Sequence, residues 1–501
     1  MPTAPKAPQV DYVRAEVLDL MARWNIVRDC VAGQEKVKKE TTKYLPKPNE
    51  EDESDANKKR YDAYIKRAVF YNVTGRTLQG MVGTVFQKAP EVEIPDGLDI
   101  LKEDADGAGV GLDQQSKKAL AYVLQFGRAG LLVDYPPAKE PASKADREAG
   151  KIRPTITLWQ PWDIINWRVA TIGAAKLLTL VVISEQFVTD DNGFSTESEK
   201  QFRVLRLVGG VYTVEIWRES ADAKSWGVAE TFTPLDGAGK PWPFIPFQFI
   251  GSENNDDIPD LPPLYDLAEL NIAHYRNSAD YEEACYLLGQ PTPWASGLTE
   301  DWVKDVLKGK IRLGSRAIIP LPENGTCGLL QVQPNTMAKE AMEHKEKQMV
   351  ALGAKLVEQR DVRQTATEAS QNEASETSVL ATSANNVSSA YVDALKWAAM
   401  FDGESDAAIS YKLNVEFEKR LATAQDRAQL VAEWQSNAIT TSEMRAALKK
   451  AGVATLDDES YKDEIQTSGP DLGVPVNTAA AAEAAAKAKA AANSPATGAG
   501  A

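Results

Sequence analysis

From Leu264 to Gly289 the chain reads LYDLAELNIAHYRNSADYEEACYLLG, with no proline and no glycine before its last position. About 25 helical residues at 1.5 Å per residue make a rod of roughly 37 Å, long for a helix of a globular protein. Asn271, His274, Arg276, Asp280 and Glu282 exclude a bilayer span. A rod of this length with polar residues along it holds its shape only against neighbours. The rest of the chain must therefore supply them.

Two more helices of similar length follow. The stretch 336–358 carries a stripe of Met342, Met349, Leu352 and Leu356, and about 374–401 carries Leu380, Ala384, Val387, Tyr391, Leu395 and Ala398 at helical spacing. Between the first two rods lies QPTPWASGLTEDWVKDVLKGKIRLGSRAIIPLPENGTCGLLQVQP, with room for one short helix and two or three short strands. Between the second and third, EQRDVRQTATEASQN is polar and has no apolar period.

Upstream, 11–47 and 57–90 read as helical, divided by the acidic run NEEDESDAN. The second run sets Tyr64, Val69, Tyr71, Leu78, Met81 and Val85 at helical spacing and stops at Pro90. From about 152 to 250 the pattern turns to Val, Ile, Phe and Trp between the turn signals DDNG, GG and DGAG, which predicts strands. Gly209-Gly210 between FRVLRLV and VYTVEIW predicts a hairpin, because a primed two-residue turn needs positive φ at its centre. Thr440 and Glu443 form a capping box with Gly452 as the helix stop. The Ala-rich residues 466–501 are expected to be disordered, since a short alanine helix without packing is marginal in water. Helices and strands are segregated along the chain, an α+β pattern.

Composition excludes several classes of function. Of 501 residues 43% are apolar, enough to bury real cores, while a net charge of −16 disfavours generic affinity for a polyanion. Cys30, Cys285 and Cys327 match neither a disulfide framework nor zinc-ligand spacing, which suits a reducing compartment. No segment approaches 18 uninterrupted apolar residues and the N-terminus lacks a signal-peptide core, so a soluble protein made in a cytoplasm is expected.

Catalytic motifs are weak throughout. DGAGVG (106–111) lacks the spacing and preceding strand of a dinucleotide loop, and DADGAGVGLDQQ (104–115) has Ala108 and Gln115 where a calcium loop needs oxygen ligands. GESDA (403–407) imitates a nucleophile elbow without its strand or its last glycine. His274 and His344 have no partner at metal-ligand spacing. In AYVLQFGRAGLLVDYPP (121–137), Gly127 and Gly130 could bring amides near a phosphate and Asp134 could be catalytic, but a turn, a buried strand and a strand-ending Asp134 explain the same residues. No cofactor or metal and no enzymatic activity are expected.

The order of these elements resembles the portal proteins of tailed bacteriophages, most closely a portal family long described only as a phage domain of unknown function. The stretches that carry it are YIKRAVFYNVTGRTLQGMVGTVFQKAP, LQFGRAGLLVDYPP, QPWDIINWR and LAELNIAHYRNSADYEEACYLLGQPTPW, and it covers roughly 60–450. The resemblance implies a ring, usually of twelve subunits, at one capsid vertex of the virion. Such a ring passes double-stranded DNA without binding it specifically and meets a terminase motor, a head-tail adaptor and the capsid or scaffold protein. It also implies an N-terminal helical and acidic segment 1–56, a wing 57–263, a first stem helix 264–289, a clip 290–335 and a second stem helix 336–358. A tunnel loop 359–373, a long wing helix 374–403, a wing return and crown 404–465 and the tail 466–501 complete the chain.

Under that resemblance Leu267, Ile272 and Tyr275 are stem-packing residues, with Leu267→Asp or Ile272→Asp expected to abolish ring assembly. Trp294, Trp302 and Arg312 belong to the clip, and Arg360, Arg363, Thr365 and Glu368 to a DNA-facing loop. His274 is expected to be a polar contact on the rod and nothing more. Another structural connector or scaffold component is the alternative, and a hydrolytic enzyme comes third. Cysteines placed at Thr365 and Ala369 should be shielded from a bulky thiol reagent when DNA fills the ring, and equal labelling with and without DNA would refute a channel-facing loop.

Overall fold

A computed structural model of the chain describes residues 9–135, 153–220, 225–236, 238–288, 292–308, 320–330, 336–357, 378–402, 408–417, 424–436, 438–450, 454 and 460. The chain divides into two units, Met1–Phe417 and Glu418–Ala501. The architecture is α+β, as the segregation of patterns predicts.

The first unit opens with helices α1 (Ala15–Ala32), α2 (Gln34–Lys39), α3 (Asp55–Arg67) and α4 (Val73–Val85). The sequence pattern suggested one helix over 11–47 and another over 57–90, and both are interrupted. Gly33, at φ +90, ends α1, and Ala68 turns extended after α3. Asn72 then restarts the helix as the cap of α4, accepting from the Gly75 amide at 2.8 Å. The break rotates the apolar register, so Val69 and Tyr71 are exposed while Tyr64, Leu78, Met81 and Val85 are buried. Strand β1 (Glu91–Glu93) and the short helix α5 (Ile100–Glu103) lead to α6 (Leu112–Phe126), which packs its apolar face against α1 and α4.

Gly127 stops α6 in the left-handed region, and strand β2 (Arg128–Asp134) follows at once. It is the centre of an antiparallel sheet between β3 (Thr155–Trp159) and β9 (Phe247–Gly251). Strands β4 (Ile164–Ile172), β5 (Ala175–Asp191), β6 (Thr196–Val208), β7 (Val211–Glu219) and β8 (Trp226–Phe232) form a separate antiparallel meander in sequence order. Gly209 and Gly210 both have positive φ, +58 and +82, as a primed hairpin turn demands.

After β9 come α7 (Tyr265–Leu288), β10 (Thr292–Ser296), α8 (Glu300–Asp305), β11 (Thr326–Leu330), α9 (Met337–Val357), α10 (Val379–Asp402) and β12 (Ser410–Lys412). The predicted stripe of α10, Leu380, Ala384, Val387, Tyr391, Leu395 and Ala398, is buried along its whole length against β9, β2 and α6. Small residues on that stripe allow close approach to the sheet. Tyr391 donates to Gln115 Oε1 at 3.0 Å and stacks on Tyr411, whose hydroxyl meets Ser116 Oγ at 2.6 Å. These two buried phenols thus each have a partner, which offsets the cost of burying an O–H. One apolar core runs from Val17 on α1 to Leu413 beyond β12.

In the second unit, α11 (Ala424–Gln435) is followed by α12 (Thr441–Lys450). The predicted capping box forms: Glu443 accepts from the Thr440 amide at 2.8 Å, and the Glu443 amide donates to Thr440 Oγ1 at 3.3 Å. The Thr440 amide, and the Thr440 hydroxyl donating to the same carboxylate at 2.7 Å, hold the Glu443 carboxyl below its usual range.

The GRAG turn has a packing explanation. A Cβ on Gly127 would lie 2.5 Å from the Asp260 carbonyl oxygen and 2.7 Å from that of Leu261, and one on Gly130 would lie 2.5 Å from the Phe247 ring. Backbone cannot yield as a ring edge can. Gly127→Ala should therefore cost about 2–4 kcal/mol, combining left-handed strain with a backbone clash, and Gly130→Ala clearly less. Urea denaturation of the two variants checks the order; equal midpoints would refute it.

Candidate functional site

The most elaborate polar construction in the first unit is the seating of α7. Leu264 just before it and its positions Leu267, Ala268, Asn271, Ile272, Tyr275, Ser278 and Ala279 are buried. They recur at three- and four-residue steps, so one face of the rod enters the core. Two members of that stripe are polar, and both grip the break between α3 and α4. Asn271 Oδ1 accepts from the Thr74 amide at 3.1 Å, the Thr74 hydroxyl at 3.0 Å and the Val73 amide at 3.2 Å, while its Nδ2 donates to the Tyr71 carbonyl at 2.8 Å. Ser278 Oγ accepts from the Val69 amide at 3.0 Å.

Further along, ion pairs and phenols continue the seam. Tyr64 donates to Asp280 Oδ1 at 2.6 Å, and Arg276 Nε donates to the Tyr44 carbonyl at 2.8 Å. Burial, reinforced by the Asp280 carboxylate, keeps the Tyr64 phenol above its ordinary value. Arg67 pairs with Glu283, and Arg60 approaches the same carboxylate at 3.7 Å. Phe70 meets Tyr275 edge to face at 5.9 Å, and burial raises Tyr275 to about 12.

The other long helix, α9, lies along α7. His274 is buried, with Nε2 3.2 Å from Glu346 Oε1, and Lys345 Nζ donates to Asn277 Oδ1 at 3.2 Å. His274 therefore makes a polar contact between rods. Its Nδ1 has no partner. An open groove of about 620 Å³ runs between the two helices, with Leu270 and Leu352 in its floor and Asp266, Glu269 and Lys355 on its rims. Among the described residues no group of three His, Cys, Asp or Glu side chains could hold a metal ion, and no helix is long and apolar enough to cross a membrane.

Between the rods, β10 pairs antiparallel with β11, from Thr292 opposite Leu330 to Ser296 opposite Thr326. Trp294 stands partly exposed over Gly328, where a Cβ would come within 3.1 Å of the indole. Trp302 Nε1 donates to the Pro320 carbonyl at 3.2 Å, which ties α8 to the segment before β11. Arg312 and the segment 359–373, with Arg360, Arg363, Thr365 and Glu368, lie outside the described residues, as do 403–407, Gly452 and 466–501.

Two motifs first weighed as chemistry serve the loops that carry them. Asp104 Oδ1 accepts from the Gly107 and Gly109 amides at 2.8 and 3.0 Å while its other oxygen pairs with Arg153, and Asp106 Oδ1 accepts from the Ala108 amide at 2.8 Å. Asp134 ends β2 against Arg203 at 3.0 Å, its carboxyl raised by burial that the arginine partly offsets. Arg128 was missed as a structural residue. It is buried between Trp167 and Phe249, 4.3 and 3.6 Å from their ring centres, and its Nη1 donates to the Asp257 carbonyl at 3.1 Å. Desolvation pulls it down to about 9, yet it stays charged at neutral pH and anchors the loop that enters α7.

Residues 263–402, from the entry of α7 to the end of α10, match the family described as Domain of unknown function (DUF4055). This agrees with the resemblance to a portal family of that description. Solved structures similar to the chain include one described as "Neck of native GTA particle computed with C12 symmetry", at 14% identity and a TM-score of 0.39 over 77% of this chain and 92% of that one. Another is "Neck of empty GTA particle computed with C6 symmetry", at 15% identity and a TM-score of 0.40 over 79% and 93%. No curated protein matches the chain.

Leu267, Ile272 and Tyr275 all lie in the chain's own core, so a carboxylate there acts before any subunit contact forms. Leu267→Asp should give aggregated or unfolded chain rather than folded monomers. Asn271→Leu should cost about 2–4 kcal/mol, because it leaves the buried Thr74 amide and hydroxyl without their acceptor. Circular dichroism and urea melts check both; a folded monomeric Leu267→Asp would return the residue to the subunit interface.

Proposed function

We propose that the chain is the portal subunit of a tailed phage or phage-like particle. It forms a ring, with twelve copies as the expected number, at one capsid vertex. There it acts as the conduit for DNA packaging and ejection and the docking site for terminase and a head-tail adaptor. One observation carries the reading. Two long helices flank a small β insert and pack on each other beside a helical body, and the family match spans this construction and the next long helix. In this reading α7 and α9 are the stem, the β10–β11 segment with Trp294 and Trp302 belongs to the clip, and 359–373 is the tunnel loop.

The charge supports a conduit. Each phosphate gripped by a lysine or arginine adds salt-dependent affinity, and hence friction, to a sliding duplex. A subunit of net charge −16 avoids a continuous grip, and twelve of them would carry −192. Such a ring assembles only where subunit faces pair local charges and bury apolar surface. Negative-stain microscopy of the purified chain should show rings with a central channel; monodisperse single subunits at every concentration examined would overturn the assignment.

A further inference from the structure

The β5–β6 hairpin outruns its sheet. Pairing with β4 ends at Ile183 and pairing with β7 ends at Gln201, so 186–191 and 196–200 pair only with each other. The turn at the tip reads Asp191-Asn192-Gly193-Phe194-Ser195, and all five residues are exposed. Asparagine before glycine is open to attack from within the chain. The glycine nitrogen has no side chain beside it, and its attack on the asparagine Cγ closes an unstrained five-membered ring, a proximity effect that needs no second molecule.

The turn places a group on each atom that would react. Asn192 Oδ1 accepts from the Phe194 and Ser195 amides at 2.9 and 2.8 Å, so two backbone donors face the oxygen on which negative charge would develop. The Gly193 amide, the attacking nitrogen, donates to Asp191 Oδ1 at 2.8 Å, which sets a carboxylate on the proton that has to leave. Asn192 Nδ2, the departing nitrogen, donates to Ser195 Oγ at 2.8 Å. Gly193 holds φ +80, and a Cβ built on it would meet nothing within 4 Å, so water reaches the turn.

A second asparagine-glycine pair serves as the comparison. Glu323-Asn324-Gly325 also has a carboxylate residue before the asparagine, but its Gly325 amide donates to the Pro322 carbonyl at 2.8 Å, an acceptor that cannot take the proton. A Cβ on Gly325 would lie 2.8 Å from Pro322 Cδ, so this turn is closed around its glycine.

We propose that Asn192 is an autocatalytic modification site, converted by its own turn to aspartate and isoaspartate. The Gly193 N–H proton passes to Asp191, the Gly193 nitrogen bonds to Asn192 Cγ, and the Cγ–Nδ2 bond breaks. Ammonia leaves with the transferred proton and a cyclic imide remains. Water opens the imide at either carbonyl, and nothing is oxidised or reduced. The product adds a negative charge to a tip that already carries Asp190, Asp191, Glu197 and Glu199, and isoaspartate inserts a methylene into the main chain just before Gly193. The reaction needs one copy only.

Peptide mapping by mass spectrometry of the full chain, incubated at neutral pH in heavy-oxygen water, follows both asparagines, because each conversion takes up a solvent oxygen. Asn192 should convert at least about fivefold faster than Asn324 in the native chain, a small part of what a positioned base can supply. Urea should slow Asn192 to the rate of Asn324. Asp191→Ala should slow Asn192 at least about fivefold and leave Asn324 unchanged. Equal native rates at the two positions, a faster Asn192 in urea, or an Asn192 rate untouched by Asp191→Ala would each overturn the proposal.

Discussion

Asn271 stands where the long helix meets the break between α3 and α4, and the organisation of the first unit depends on that contact. The break leaves backbone groups of Tyr71, Val73 and Thr74 facing the interior, and a buried amide or carbonyl without a partner costs on the order of 1–3 kcal/mol. One carboxamide satisfies all three, having both an acceptor and a donor to offer. Leucine of similar size would pack but could not bond. Because the lock is made from two sides, it fixes the rotation of α7 as well as its position. The faces offered to α9 and to solvent follow from it.

A second constraint is charge. A chain this acidic repels its copies unless opposite charges meet locally. From 188 to 199 the hairpin tip carries only acidic charges, whereas basic residues of α3 are matched within the chain, Arg60 and Arg67 by Glu283 and Lys58 by Asp55.

Chemistry-like motifs dissolved for a shared reason. Asp104 and Asp106 spend their oxygens on the amides of their own loop and on Arg153, and Asp134 answers Arg203. Gly127 and Gly130 exist for close approach of chain segments from 260–261 and from 247. Short motifs describe spacing along the chain, but a carboxylate's role is set by the donors that the fold brings to it.

Much of the architecture was legible from periodicity and turn chemistry. The length of α7, the buried stripe of α10, the Gly209-Gly210 hairpin and the Thr440–Glu443 capping box depend on neighbours within a few residues, and the sequence by itself determined them. What it could not decide was where the rods would be covered. Asn271 and Ser278 recur with Leu264 at intervals of seven, which is consistent with the buried face, yet the pattern does not say which backbone groups they meet. Leu267, Ile272 and Tyr275 looked like subunit contacts because their partners on α1, α3 and α4 are some two hundred residues away in sequence. Contacts remote in sequence likewise hid the break after Arg67 and the stacking of Arg128 on Trp167 and Phe249, and the free reach of the β5–β6 hairpin depends on where its neighbouring strands stop. Those are outcomes of long-range packing, and only the tertiary structure could settle them.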